Sequence, residues 1–333
     1  MKEKTCLALY SGGLDSLLAV RVMLNQGVNV IALNFDTGFF FGAYDEINGR
    51  KIYKAASPYE ITVVDVSADF IEMIKNPAHG FGKNMNPCID CKIMMLKKAK
   101  ELMTEYDAGY VITGEVLGQR PMTQNIRAMK LIEKESGLEG FLLRPLCAKN
   151  MPATEPEKLG WVDRGKLLDL KGRGRTRQLE LAKLWGMEEF VKTPAGGCIL
   201  TDENFSKKLK DHLISNLKSQ ISSDDMKLLR LGRHFRKDGI KFIIGRNKDE
   251  NKELMKYRDR GVIFDTKDAP GPITLAIGEI SPGLKSFIAA VTAGYSDAKN
   301  RRSTAVEVSS GDKLETVEVE PIKPAEAGVF RVG

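Results

Sequence analysis

A chain of 333 residues is long for one compact core, so two domains are expected, and its 42% hydrophobic and 29% charged residues are those of an ordinary globular protein. No stretch is apolar for the length a membrane-spanning helix needs, and Met1-Lys2-Glu3-Lys4 leads into an apolar run without a signal-peptide core, so no membrane partner and a cytoplasmic location are expected. The net charge of +7 hints at a polyanionic partner without identifying one.

Thr5–Tyr10 is an apolar run predicted as a strand, and a helical pattern of apolar residues runs from Ser16 to Gln26. Between them lies Ser11-Gly12-Gly13-Leu14-Asp15-Ser16. Strand, glycine-rich turn and helix in that order build an anion site. Gly12 and Gly13 admit a ligand to the backbone, and the first amides of a helix have no partner inside it. Ser11 and Ser16 add hydroxyl donors, and Asp15 adds a carboxylate suited to Mg²⁺ beside a phosphate. The loop follows neither the phosphate-loop pattern of kinases and GTPases nor the glycine pattern of dinucleotide folds. Val28–Phe35 is a second strand, carrying Asn34 and Phe35 at its end. Gly38–Pro58, rich in glycine and aromatics, is read as a packed insertion with a short helix rather than a lid over a nucleotide. Ile61–Val66 is a third strand and Ala68–Ile74 a helix.

Pro87-Cys88-Ile89-Asp90-Cys91 precedes a helix predicted over Cys91–Tyr106. The two thiols share a face near its N-terminus, where the helix dipole is expected to lower their pKa. Zinc would want further ligands, and His79, His212 and His234 are scattered along the chain. Tyr110–Thr113 is a strand, followed at its end by Gly114-Glu115-Val116-Leu117-Gly118-Gln119. A helix over Thr123–Lys134, a strand at Phe141–Leu143, and Leu143-Arg144-Pro145-Leu146 with Lys149 come next. Strands alternating with helices imply a parallel sheet, whose ligands bind beyond the carboxyl ends of its strands. The Ser11–Ser16 loop, Asn34 and Gly114–Gln119 are therefore predicted to converge on one cleft.

Lys171, Arg173, Arg175 and Arg177 form a cationic run without an anion, read as a solvated face or an RNA contact. A helix over Arg175–Trp185 follows, then Cys198 in the glycine-marked loop Thr193–Leu200, and a helix over Asp202–Asn216. Five cysteines are too few for a disulfide framework; Cys6 and Cys147 are expected to be packing residues. The three thiols of Cys88, Cys91 and Cys198 suit a 4Fe–4S cluster with one iron left open, with persulfide chemistry or structural zinc as alternatives.

Ser11–Ser16 resembles the pyrophosphate loop of the ATP pyrophosphatase, or PP-loop, superfamily, whose members split ATP into AMP and pyrophosphate to activate an oxygen. With Gly114–Gln119 and Leu143–Leu146 plus Lys149, it is similar to the PP-loop domain of the tRNA 4-thiouridine synthetases. Cys88 and Cys91 with the distant Cys198 resemble the iron–sulfur-dependent tRNA thiolases. The resemblance covers about residues 4–215. The fold it implies is α/β: a parallel-sheet, Rossmann-like PP-loop domain over residues 1–220. The activity it implies is adenylation of a uridine or cytidine oxygen of tRNA and its replacement by sulfur. ATP and Mg²⁺ would be held by Ser11, Gly12, Gly13, Asp15 and Ser16, with Asn34 and Phe35 beside the adenosine. Gly114, Glu115 and Gln119 would lie near the α-phosphate or the target base, and Lys149 would neutralise charge in the transition state. Asp15, Lys149, Cys88 and Cys198 would be the catalytic set, and Cys88, Cys91 and Cys198 the cluster ligands. The partners implied are tRNA and a sulfur donor, either a cysteine desulfurase or free sulfide; a homodimer is left open. A ligase or amidase adenylating another substrate, and a non-catalytic RNA-binding protein, are the competing readings.

The sequence departs from the synthetases in one respect. Their THUMP RNA-binding module stands before the PP-loop, which here begins at residue 11. Residues 223–333 resemble instead the RNA-binding domain of the NFACT proteins, an α+β domain, through Arg233-His-Phe-Arg236, Gly245-Arg246-Asn247 with Asn251, and a basic helix over Ala289–Arg302. Strands are predicted at Lys241–Ile244, Val262–Asp265 and Ile273–Ile277, with Arg233, Arg236 and Arg246 as RNA contacts. The segment Glu307–Glu326 reads as an acidic tail.

Overall fold

The computed structural model describes residues 4–38, 44–47, 50–53, 57–191, 198–215 and 221–333. They form two compact units, Met1–Cys198 and Ile199–Gly333.

The first unit runs β1 (Thr5–Leu9), α1 (Leu14–Leu24), β2 (Asn29–Asp36), β3 (Tyr44–Ile47), β4 (Arg50–Tyr53), β5 (Ile61–Asp65), α2 (Ser67–Lys75), α3 (Cys88–Glu105), β6 (Tyr110–Thr113), α4 (Ile126–Glu135), β7 (Leu142–Leu143), α5 (Glu155–Lys158) and α6 (Thr176–Leu184). Its sheet has the order β3-β4-β5-β2-β1-β6-β7. β1 pairs in parallel with β2 on one side and β6 on the other. The chain thus builds outward from β1 to β2 and β5, then returns to β6 on the opposite side. That reversal opens a crevice at the carboxyl ends of β1 and β6. Central strands covered on both faces must be apolar throughout, and every residue of β6 is buried. α1 and α6 pack on one face, with Leu17, Leu18, Val22 and Ala182 in the core. α3 packs on the other, where Ile93, Leu96 and Ala99 meet Leu7, Leu33 and Val111.

The expected short helix within Gly38–Pro58 is corrected: its described residues include the antiparallel hairpin β3–β4, joined to β5 with Lys51 opposite Val63. Alternation in this segment is interrupted by glycines, and its strand character comes from the pairing of β4 with β5 and of β3 with β4.

The second unit runs α7 (Glu203–Ser215), α8 (Ser223–Leu228), β8 (Arg233–Lys237), β9 (Ile240–Ile244), α9 (Lys248–Met255), β10 (Val262–Thr266), β11 (Thr274–Ile277), α10 (Pro282–Gly294), β12 (Thr304–Ser310), β13 (Lys313–Val319), α11 (Pro324–Ala327) and β14 (Arg331–Val332). Its sheet, of order β13-β12-β10-β11-β9-β8-β14, pairs antiparallel throughout. Phe235, Phe242 and Phe264 meet α10 on one face, and Ile243, Ile263 and Leu275 meet Leu228 and Leu254 on the other.

Three expectations for this unit change. The predicted basic helix is instead α10, with Ile288, Ala289, Val291 and Ala293 fully buried, and Arg301 and Arg302 lie beyond its end. The acidic tail overlaps the hairpin β12–β13, whose inner residues Val306 and Val308 join the core. The division between units falls before α7 rather than after it. Asp211 of α7 binds Arg236 of β8 at 2.7 Å and Lys241 of β9 at 3.3 Å, so α7 belongs to the second sheet. Among the described residues, no helix is long and apolar enough to cross a membrane.

Candidate active site

The SGGLDS loop leaves β1 at the crevice. Gly12 has φ +75°, a left-handed conformation that a side chain would strain. Ser16 closes the turn: its Oγ donates to Gly13 O at 2.8 Å and accepts from the Ser11 amide at 3.3 Å. α1 starts immediately after Gly13, which offers no side-chain cap, so the first-turn amides remain available to an anion.

Two neighbouring loops complete this surface. Leu9 of β1 is in register with Thr113 of β6, which brings Gly114 against the SGGLDS loop. A Cβ on Gly114 would lie 2.5 Å from both the Asp15 carbonyl carbon and the Ser16 nitrogen. Only glycine permits that approach. Gln119 then donates from Nε2 to Asp15 Oδ2 at 2.8 Å. From the end of β2, Asn34 donates to Tyr10 O at 2.9 Å. The buried oxygens Asp15 Oδ1, Asn34 Oδ1 and Gln119 Oε1 have no hydrogen-bond partner among the described residues. Buried acceptors left open cost stability unless a ligand meets them. Asp15 Oδ1 beside an anion-binding turn fits Mg²⁺, a hard cation that takes carboxylate oxygen together with phosphate.

Beside the loop lies a cavity of about 460 Å³, whose walls include Ser11, Asn34, Phe35, Lys92, Thr113 and Cys198. Lys92 comes from the second turn of α3 and was missed as a site residue, because one lysine in a Lys/Met-rich helix carries no distinguishing signal. Its Nζ lies 3.0 Å from Glu115 Oε1. Glu115 is only 2% exposed, and its Oε2 accepts from Thr113 Oγ1 at 2.9 Å and Arg144 Nε at 3.1 Å. Arg144 in turn donates to Glu133 at 2.9 Å. Burial alone would raise the Glu115 carboxyl, but Lys92 and Arg144, with hydrogen bonds from Lys92 and Thr113, hold it down at about 2. Glu115 is therefore a buried counter-ion within the protein, whereas the sequence placed it near the substrate. Lys149 also lies elsewhere: it is exposed, donates to Gly165 O at 2.8 Å, and is not part of the cavity wall.

The three cysteines share a neighbourhood. Cys88 opens α3 and donates to Asn86 Oδ1 at 3.1 Å. Burial pushes the Cys91 thiol up to about 12, with the nearby Cys198 and Cys88 adding to the rise and Lys92 opposing it. Burial thus outweighs the helix N-terminus, reversing the expected direction for Cys91. Cys198 is exposed on the cavity wall, next to residues 193–197 of its loop, which fall outside the described residues. Three soft thiols suit iron–sulfur ligation in their chemistry. Among the described residues, however, no three His, Cys, Asp or Glu side chains are gathered closely enough to hold a metal ion. Cys6 and Cys147 are buried, as packing residues are.

The cationic residues separate into two groups. Lys171 and Arg173 are exposed and Arg175 is partly so, while Arg177 pairs with Asp169 at 2.8 Å. This run is attached to the site: Gly172 donates to Leu117 O at 2.8 Å, and Leu117 bridges to Lys171. In the second unit the three named arginines are engaged internally. Arg236 grips Asp211 with both Nε and Nη2, at 2.7 and 2.9 Å. Arg246 pairs with Glu250, and Arg233 lies 5.1 Å over the Tyr295 ring. The neighbouring Asn247 is the N-cap of α9, accepting from the Glu250 amide at 2.9 Å.

Strand order, loop and crevice define the first unit as an α/β domain with a parallel central sheet. Residues 2–152 match the family described as thiamine biosynthesis protein (ThiI), and residues 232–331 match the NFACT protein RNA binding domain. A probable tRNA sulfurtransferase of Thermococcus kodakarensis is 29% identical over 144 residues, covering 42% of this chain and 36% of that protein. One of Methanosarcina mazei is 33% identical over 124 residues, covering 34% of this chain and 28% of that protein. This chain therefore spans about a third of the length of these curated relatives. Among solved structures, a 4-thiouridine synthetase–RNA complex with bound ATP aligns at TM-score 0.38 and 17% identity, over 60% of this chain and 46% of that one.

Proposed function

We propose that this chain is an ATP-dependent tRNA sulfurtransferase, which adenylates a uridine or cytidine carbonyl oxygen and replaces it with sulfur. The observation that carries the reading is the Cys198 thiol on the wall of the cavity bordered by the SGGLDS loop. A nucleotide-activating loop needs no thiol beside it to make an amide or ester; sulfur transfer does. The ThiI match over residues 2–152 and the printed names of the relatives support the same reading.

The open amides of α1, with Ser11, Gly12, Gly13 and Ser16, hold the phosphates, and Asp15 takes Mg²⁺ on its unpartnered oxygen. Asn34 and Phe35 flank the adenosine, and Gly114 and Gln119 keep Asp15 in place. Attack of the base oxygen on the α-phosphorus releases pyrophosphate and leaves AMP as the group that sulfur displaces. Cys88, Cys91 and Cys198 would hold a 4Fe–4S cluster, which when bound supplies an open iron site for sulfide. The donor is a cysteine desulfurase or free sulfide. The exposed Lys171 and Arg173, with the NFACT-type second unit, bind the tRNA backbone.

A cluster-free reading, with a persulfide on one cysteine and another resolving it, is favoured by the loose grouping of the thiols. One preparation tests both. Protein purified without oxygen should hold about four iron and four sulfide per chain and, with bulk tRNA, ATP and sulfide, release AMP and yield a thionucleoside by mass spectrometry. Thiolation without iron when a cysteine desulfurase with cysteine replaces sulfide, passing persulfide sulfur to the chain and leaving a disulfide between two of its cysteines after transfer, supports the persulfide route. AMP release without any thionucleoside refutes the sulfurtransferase.

A further inference from the structure

We propose that Lys92, rather than Lys149, is the catalytic cation of the adenylation step, and that Glu115 is the positioning residue that holds it at the cavity. The proposal deepens the reading of this site as an adenylating centre and rests on it.

Two cations reach the buried Glu115 carboxylate, and they differ in where they stand. Arg144 is 2% exposed and is committed on all sides: Nε to Glu115, Nη1 to Glu133 at 2.9 Å, and Nη2 to Met129 O at 3.2 Å. Lys92 is 22% exposed and lines the cavity alongside Ser11, Asn34 and Thr113. An ammonium has three donors. One of them goes to Glu115 Oε1 at 3.0 Å, which leaves others for an anion in the cavity. The carboxylate that anchors Lys92 is itself fixed by Thr113 at 2.9 Å and Arg144 at 3.1 Å. Lys92 is thus a charge held in a preset position, which is the condition for stabilising a transition state without reorganisation.

The step needs such a charge. The base oxygen forms a bond to the α-phosphorus as the bond from phosphorus to the bridging oxygen breaks. The electron pair of that bond leaves with pyrophosphate, and the proton of the base nitrogen passes to solvent. Negative charge grows on the phosphoryl and leaving oxygens, where a fixed ammonium acts most strongly. Lys149 is absent from the cavity wall and cannot supply it from its observed position.

The test uses the intact chain with bulk tRNA, measuring single-turnover AMP formation, equilibrium ATP binding and thermal melting. Lys92→Gln should slow AMP formation by about 100-fold or more while ATP affinity changes by less than about threefold. Lys92→Arg, which keeps the charge, should recover most of the rate. Lys98→Gln, a partly exposed position further along α3, serves as the control. A parental rate in Lys92→Gln, or an equal loss in Lys92→Arg and Lys92→Gln, overturns the role of Lys92 alone. Absence of AMP formation in the parent chain overturns the adenylating reading and this proposal together.

Discussion

At Gly114, a Cβ would stand 2.5 Å from backbone atoms of Asp15 and Ser16, so that loop and the SGGLDS loop form one rigid surface. Gly114→Ala must push the two apart. We expect ATP affinity to fall at least about tenfold, with the melting temperature lowered by only a few degrees, since backbone displacement is confined to loops. Nucleotide titration alongside calorimetry checks this. Glu115 makes a pH prediction. Its folded pKa of about 2 lies below the ordinary 4.5, so its stabilising contribution is complete above about pH 4.5 and is lost as pH falls toward 2. Glu115→Gln should remove that part of the acid dependence and cost about 3–5 kcal/mol at neutral pH, because Arg144 is left as a buried charge with less compensation. Urea unfolding at several pH values distinguishes the two effects. The cysteines should also differ in reactivity. In metal-free protein at neutral pH, alkylation should reach exposed Cys198 first and Cys91 slowly, while buried Cys6 and Cys147 resist.

Among the elements, local signals are legible where they are self-contained. Tyr110, Val111 and Ile112 with Thr113, between turn signals, give β6 its observed limits, and the CxxC pair does stand at a helix start. The hairpin β3–β4 is not legible, because β4 is set by its hydrogen bonds to β5, and β3 by its pairing with β4, rather than by their own alternation. For α10 the basic residues draw the expected helix too far along the chain: they lie past Gly294, while the apolar residues before them form the helix. α7 makes a test of element assignment. Asp211→Ala strips the partner from Arg236 and Lys241, and should destabilise the second unit by about 3 kcal/mol. Calorimetry of the intact chain should show the transition of the second unit lowered and that of the first unchanged. If the first unit melted earlier instead, α7 would belong with it.

For the whole molecule, the tRNA partner proposed above raises the question of which cations would meet it. Charge alone nominates both the Lys171–Arg177 run and the arginines of the second unit. The structure divides them: Lys171 and Arg173 are exposed, whereas Arg177, Arg236 and Arg246 are each paired with a carboxylate. Lys171→Glu with Arg173→Glu should lower the slope of log K against log salt for tRNA by about 1.4–1.8, at about 0.7–0.9 for each phosphate no longer neutralised. Arg236→Glu should instead destabilise the second unit, since Asp211 would face a like charge. Filter binding over a salt series, paired with melting curves, tells these apart.

The sequence by itself determined the α/β class of the first unit and the family descriptions that stretches of both units match. Strand–turn–helix order, the SGGLDS loop and the spacing of apolar runs are local, and local patterns survive without coordinates. Partner choice is not local. Whether Glu115 faces a substrate or a guanidinium was decided by Arg144, which follows it by a helix and a strand. Whether a lysine lines the cavity was decided by the packing of α3 on β1 and β6, which puts Lys92 there and leaves Lys149 against Gly165. A charged side chain satisfies the nearest opposite charge that folding brings to it, and that neighbour is set by strand order and register rather than by the motif in which the residue is written.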